Sequence, residues 1–414
     1  MFENSQLNQK DQLAILGSLI KINRIKQNMS QQALCEGVCV PSYLSKIENG
    51  EIVPSLGLIS DLFENLGILY RDEQEFIEDK QQQIEQFYEE LNFSGFGKSE
   101  QIYKSLSLEE EDLIHSPLII DYYLMKFAYY CATLHRKQFE SAQTILKLVL
   151  NRLTPKQRHR YYFYHGIDEL FINSNFDIAK SYFISSNQYN ISGNSLHFLG
   201  LTAYMQGSYF EAIERLQQAQ QRYIEEGNPV AMVHSFECLG LLSYKIGSLE
   251  RALNLLQKAS NYAKKLNRTD LMTMPLCAMG YLYLKSEAFE QAHVCIQKAR
   301  EIKQQIQLPW SDLEIIEFLH AEIIAKLNGA STMEYELNQC LNLEEKTKVG
   351  IQLLQTCYRI KNTQTEIESL YQAYKQLPGI KLYLDEMVKD AMLSYYIQAR
   401  KYKEACLLKE PTSN

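Results

Sequence analysis

Residues 199–219 read LGLTAYMQGSYFEAIERLQQA, residues 239–259 read LGLLSYKIGSLERALNLLQKA, and residues 279–299 read MGYLYLKSEAFEQAHVCIQKA. The three segments stand 40 residues apart and share one register. Leu199-Gly200, Leu239-Gly240 and Met279-Gly280 coincide, as do Ala212, Ala252 and Ala292, then Leu216, Leu256 and Ile296, then Ala219, Ala259 and Ala299. Self-similarity at an interval of this size is the mark of stacked supersecondary units. A glycine on one helix and an alanine on the next let two backbones approach closely. Turn residues lie between them at Gln206-Gly207-Ser208, Ile246-Gly247-Ser248 and Ser286-Glu287-Ala288. The pattern predicts an antiparallel helical hairpin in each unit.

Weaker copies flank the clear three. Ala179 with Phe183 follows Gly166, and Ala142 with Leu146 follows Tyr130. Segments around His320, from Cys357 to Ala373 and from Tyr395 to Ala405 fit loosely downstream. The order of small, aromatic and large apolar positions resembles the tetratricopeptide repeat, lengthened by about six residues over its usual period. About six to eight hairpins are expected from 116 to 410, stacked into a right-handed superhelix with a concave inner face.

The first 70 residues obey another pattern. Residues 30–50 read SQQALCEGVCVPSYLSKIENG. Ser30 is placed to cap a helix at Gln31–Leu34, Gly37 breaks it, Pro41 or Ser42 opens the next, and Asn49-Gly50 ends that one. Pro54-Ser55 starts a fourth helix with Leu58, Ile59, Leu62 and Leu66 on one face. Short helices joined by a tight turn describe a helix-turn-helix module over 10–70. Leu44 and Ile47, three apart, face its small core, which turns Ser42, Tyr43, Ser45 and Lys46 toward the exposed side, where hydroxyls, a ring and a cation suit base edges and phosphates, with a core position as the second reading of Tyr43. Gln31, beside a helix N-terminus, suits a phosphate. Arg24 has two readings, a contact to the DNA backbone or a structural ion pair with Glu48.

Between the two regions, residues 71–115 are strongly polar with a thin apolar stripe of Phe76, Ile84, Phe87 and Leu91, and Ser94-Gly95-Phe96-Gly97 interrupts them. A linker helix and a flexible break are expected there. The whole is an all-α chain, an N-terminal helix-turn-helix domain followed by a right-handed tetratricopeptide-repeat superhelix. Only 18 Gly and 9 Pro in 414 residues argue against a turn-rich β architecture, and 46% apolar content argues against disorder.

The formal charge of −8 excludes coating nucleic acid or membrane through bulk positive charge. Residues 1–70 hold five Lys/Arg and seven Asp/Glu, but the stretch from Lys21 to Lys46 holds four basic residues and only Glu36. Any DNA footprint is local, and a dimer reading two half-sites would strengthen it. No basic-then-apolar leader opens the chain and no stretch reaches 18 apolar residues, so a cytosolic location without membrane contact is expected. The nine scattered Cys suit a reducing compartment. No Gly-rich phosphate loop, nucleophile elbow or His-Glu-x-x-His is present, so neither catalysis, cofactor nor metal is expected.

Arg24, the Ser45-Lys46-Ile47-Glu48-Asn49-Gly50 run and Pro54-Ser55 resemble the Cro/repressor class of helix-turn-helix over about residues 13–66, with the turn before Tyr43 one residue shorter than in its commonest members. Such a module followed by tetratricopeptide repeats resembles the peptide-pheromone-responsive regulators of Gram-positive bacteria, the Rap, Rgg, NprR, PlcR and PrgX group, with a layout most like NprR. The resemblance implies a transcription factor that binds operator DNA as a homodimer or higher homo-oligomer and takes a short signalling peptide into its repeats. Inner-face positions come from the first helix of each hairpin. They include Asp168; Asn194, His197 and Tyr204; His234, Glu237, Tyr244 and Lys245; and Cys277, Tyr281 and Lys285. Polar and charged groups there suit a peptide's backbone and termini. The other reading of the same pattern is a repeat scaffold gripping a partner protein such as a response regulator, without direct action on DNA.

Overall fold

The computed structural model describes residues 9–52, 54–93, 96–305, 314–328, 345–358, 364–377 and 382–409. These residues form α-helices, two short 3-10 turns and no strand. The chain divides into two compact units, residues 1–164 with 188–190 and residues 165–187 with 191–414.

The first unit opens with α1 (Gln9–Lys26), α2 (Gln31–Leu34), α3 (Pro41–Glu48) and α4 (Leu56–Leu66). The local signals act as expected. Ser30 Oγ accepts from Ala33 N at 3.0 Å, Pro41 occupies the first turn of α3, and Ser55 Oγ accepts from Leu58 N. Leu16, Leu19, Ile20, Leu34, Leu44, Ile47, Leu62 and Leu66 bury together as the core. α1 and α3 cross so closely that a Cβ on Gly17 would lie 2.2 Å from the carbonyl oxygen of Ile47.

The described part of residues 71–115 is helical and packed. Helices α5 (Gln74–Phe93) and α6 (Phe96–Ser107) pack on each other and on α8 (Ile119–Ala132), with the short α7 (Glu110–Ile114) between. The apolar stripe is thin, but it is enough. Ile84, Phe87 and Tyr88 of α5 and Tyr103 and Leu106 of α6 are buried. Tyr103 stacks on Tyr129 with ring centroids 3.6 Å apart. The polar residues close the joint. Lys80 pairs with Glu109 at 2.7 Å, Arg71 with Asp112 at 2.8 Å, and Arg71 N donates to His115 O at 3.0 Å. Of the break expected at Ser94-Gly95-Phe96-Gly97, the first two residues lie outside the described residues, and Phe96 and Gly97 open α6. Within this unit α1 is bonded to residues far along the chain. Asn23 Nδ2 donates to Ile114 O at 3.1 Å, Lys21 Nζ to Leu148 O at 2.9 Å and Arg152 Nη1 to Ser18 Oγ at 3.2 Å. Helix α9 (Arg136–Lys147) pairs with α8, and α10 (Pro155–Phe171) comes next.

The second unit continues with α11 (Phe176–Asn187) and three hairpins: α12 (Gly193–Met205) with α13 (Tyr209–Glu225), α14 (Pro229–Lys245) with α15 (Leu249–Lys265), and α16 (Thr273–Lys285) with α17 (Phe289–Gln305). A Cβ on Gly200 would stand 2.8 Å from Leu216 Cγ, on Gly240 2.9 Å from Leu256 Cγ, and on Gly280 2.6 Å from Ile296 Cδ1. The 40-residue register is therefore a packing register, each glycine receiving the large residue sixteen positions on. Gly207 and Gly247 take positive φ of 75° and 87° at the hairpin turns, and Glu287 takes the same conformation at 60° without a glycine's freedom. First helices pack on first helices along the array. Beyond them come α18 (Glu314–Asn328), α19 (Glu345–Tyr358), α20 (Gln364–Gln376), α21 (Leu382–Gln398) and α22 (Tyr402–Lys409), sharing one buried apolar cluster with α16 and α17. The result is a superhelix of helical repeats.

Candidate functional site

Helix α3 sorts its side chains as its spacing requires. Leu44 and Ile47 are buried, Ser42 and Lys46 are exposed, Ser45 is half-buried, and Tyr43 is 37% exposed. A hydroxyl, a phenol and a cation thus stand on the outer surface of a helix whose inner surface is locked. The lock is Glu48, only 2% exposed. Its carboxylate accepts from Arg24 Nε at 2.5 Å, Arg24 Nη2 at 2.9 Å and Gln31 Nε2 at 2.8 Å, while Arg24 Nη1 donates to Met29 O at 2.8 Å. This geometry gives Arg24 a structural ion pair with Glu48. Its guanidinium is spent on the ion pair. Gln31, half-buried, closes the same network through its amide. A carboxylate that deep must be fully paired, and two donors from the neighbouring helices do it. Cys35 Sγ lies 3.4 Å from Cys39 Sγ in the turn, and burial pushes the Cys35 thiol up to about 12, which suits packing and not reactivity.

The repeat positions divide differently. Cys277 is wholly buried in the apolar cluster. Asp168 is buried and accepts from Asn173 Nδ2 at 3.2 Å, closing the end of α10. Asn194 is half-buried and accepts from Tyr223 OH at 3.0 Å. All three come from first helices, with Asp168 held by a residue just past the end of its own helix and Asn194 by the second helix of its own hairpin. Tyr244 is half-buried, and His234 is exposed beside the buried Glu237, Nδ1 to Oε2 at 3.9 Å. Tyr204 and Tyr281 are buried and Lys285 is exposed. Lys245 is half-buried.

What the sequence pattern misses is their partners on α21. Glu386 pairs with Lys245 and lies against the Tyr204 phenol. Asp390 accepts from Tyr281 OH at 2.9 Å and from Lys285 Nζ at 2.9 Å. Burial first, and then these carboxylates, hold both phenols well above their ordinary pKa. The one available signal is the four-residue spacing of Glu386 and Asp390 on one helix face.

His197 is buried, with Nε2 3.7 Å from Cys238 Sγ and Nδ1 without a hydrogen-bond partner among the described residues. Burial, and then the nearby His234, push its pKa down to about 3. The imidazole is therefore neutral in the fold while the unfolded chain takes up a proton near pH 6.5, so stability is lost as pH falls through that window. At pH 5 the cost relative to pH 7 is about 2 kcal/mol. Urea unfolding at the two pH values checks it. His197→Gln is expected to flatten the difference by about that amount, against a background of His234, Glu237 and Cys238 that the variant leaves in place.

Among the described residues no group of three His, Cys, Asp or Glu is placed to hold a metal ion, and no helix is long and apolar enough to cross a membrane.

Residues 20–72 match a family model described as helix-turn-helix. No curated protein matches the chain. Among solved structures, a Rap protein complexed with competence and sporulation factor superposes with a TM-score of 0.60 at 13% identity, over 80% of this chain and 95% of its own. NprR in complex with its cognate peptide NprX gives 0.56 at 15% identity, over 81% and 97%. The apo form of the quorum sensor NprR from B. thuringiensis gives 0.51 at 14%, over 80% and 97%. At such identities the likeness is one of fold. The chain therefore carries a helix-turn-helix domain over residues 20–72, followed by the helical-repeat fold seen in Rap and NprR.

Proposed function

We propose that this protein is a sequence-specific DNA-binding transcriptional regulator, acting as a homodimer or higher homo-oligomer, whose repeat unit binds a short signalling peptide that alters DNA binding or oligomeric state. The observation that carries the DNA half is α3: Ser42, Tyr43, Ser45 and Lys46 face outward or lie half-exposed on a helix whose opposite side is held by a buried ion pair within a helix-turn-helix domain. Short polar groups on a second helix held this way suit the major groove. The peptide half draws on the polar first helices of the repeats and on the fold shared with NprR, which is solved with a cognate peptide. Ligand and DNA influence one another only through different affinities for two states of the chain.

The test is affinity selection of fragmented host DNA on the full chain at two salt concentrations, beside Ser45→Ala/Lys46→Ala. The native protein is expected to enrich one or a few loci. The variant should lose roughly 10- to 100-fold in affinity for them, with a salt dependence shallower by about one counterion for the lost lysine. Peptide extract from the host culture is expected to change the enrichment. Equal enrichment by both proteins would remove α3 as the reader, and no enrichment with or without extract would favour a scaffold.

A further inference from the structure

Lys245 and Lys285 occupy equivalent positions, 40 residues apart, at the ends of α14 and α16. Each is joined by a buried tyrosine from a first helix: Tyr204 of α12 beside the first lysine's partner, Tyr281 of α16 beside the second's. The pairing makes two points that each offer an ammonium and a phenol, donors with no acceptor beyond the phenol oxygen. Both points are filled by one helix of the same chain. Glu386 and Asp390, one turn apart on α21, supply a carboxylate to each. The other side of α21, with Leu384, Val388 and Met392, is buried, and Asp385 accepts from Tyr374 OH of α20 at 2.6 Å, so the helix is anchored among its own neighbours. The four charged groups of the two ion pairs are between 22% and 36% exposed, and partly exposed pairs are individually weak. A cavity of about 150 Å³ adjoins the second point, lined in part by Tyr281, Lys285, Cys357 and Asp390.

From this geometry we infer that the inner face of the repeats is a carboxylate-recognition site with two points, Lys245 with Tyr204 and Lys285 with Tyr281, and that α21 is its internal occupant, a latch that a ligand must replace. The ligand class is a peptide bringing two carboxylates, from acidic side chains or from one side chain and its C-terminus. The inference rests on the peptide-binding reading above for its ligand. Its latch does not. Opening draws the Glu386–Asp390 face of α21 away from α14 and α16 without unfolding α21, and it widens access to Cys357 at the cavity.

The experiment uses the full chain and tracks alkylation of each cysteine by mass spectrometry. Glu386→Gln/Asp390→Asn keeps shape and removes charge. It is expected to raise the modification rate of Cys357 at least fivefold while leaving the buried Cys131 unchanged. The exchanged variant Lys245→Glu/Lys285→Glu/Glu386→Lys/Asp390→Lys should return Cys357 to the native rate. A native rate in the neutralised variant would overturn the latch, and a rise at Cys131 as well would show general loosening and also overturn it. The recognition site is probed with a synthetic peptide of residues 382–398 added to the neutralised variant. It should bind at least tenfold more tightly than the same peptide with Glu386→Gln and Asp390→Asn, and equal binding would overturn the site. If host peptide extract leaves DNA enrichment unaltered while Cys357 responds as expected, the signalling reading fails and the latch stands.

Discussion

Arg24→Ala is expected to unfold the helix-turn-helix domain rather than merely to weaken its hold on DNA. Glu48 is 2% exposed and draws both of its charged hydrogen bonds from Arg24, at 2.5 and 2.9 Å, leaving only the Gln31 amide when the guanidinium is gone. Stranding one member of a buried pair costs about 3–5 kcal/mol, a large share of a domain's stability. Denaturant unfolding should show the loss, and DNA binding should vanish with it. The companion variant Arg24→Met/Glu48→Leu separates the two readings of Arg24. Replacing both charges with apolar groups of similar size removes the stranded carboxylate, so most of the stability should return. DNA enrichment should return in part as well, because Ser42, Tyr43, Ser45 and Lys46 are untouched. A stable Arg24→Ala protein that no longer binds DNA would instead make Arg24 a phosphate contact.

Gly240→Val is expected to cost about 3 kcal/mol, at the upper end for overpacking a filled core. A first added carbon already falls 2.9 Å from Leu256 Cγ and 3.3 Å from the carbonyl oxygen of Ala252, and Leu256 is wholly buried. Backbone on one side and an enclosed side chain on the other leave the valine nowhere to go, so α14 and α15 must separate. Since stability in an array is a sum of units and their nearest neighbours, the loss should be felt in α12 to α17, and hydrogen exchange should locate it there. Shortening the opposing residue makes room. Gly240→Val/Leu256→Ala should therefore be less destabilised than the sum of the single variants, and strict additivity would show that the two do not meet. Gly247→Ala is the contrast. Nothing lies within 4 Å of its added carbon, and only its φ of 87° opposes the change, at about 1 kcal/mol.

Much of the fold is legible in the sequence because its determinants are local or repeat. The caps at Ser30 and Ser55, Pro41 at the start of α3 and the Gly-to-Leu register of the repeats all act within a hairpin, and their signals lie where they act. The outward face of α3 is legible for the same reason, since Leu44 and Ile47 set the helix's orientation from within it. The packing of segment 71–115 is less legible, because burial there is thin along the chain but dense in space: Phe87 and Tyr103 look sparse in sequence and are enclosed once α5, α6 and α8 meet.

What the sequence determined alone was therefore the type of each element, the hairpin as the repeating unit, and which positions of α3 face solvent. The tertiary structure alone decided which polar groups remain available. Arg24 and Gln31 turned inward to Glu48, and Lys245 found Glu386 141 residues away. Charges joined over such distances leave no periodic trace, because their pairing depends on where whole helices are stacked and not on the spacing of neighbours along one.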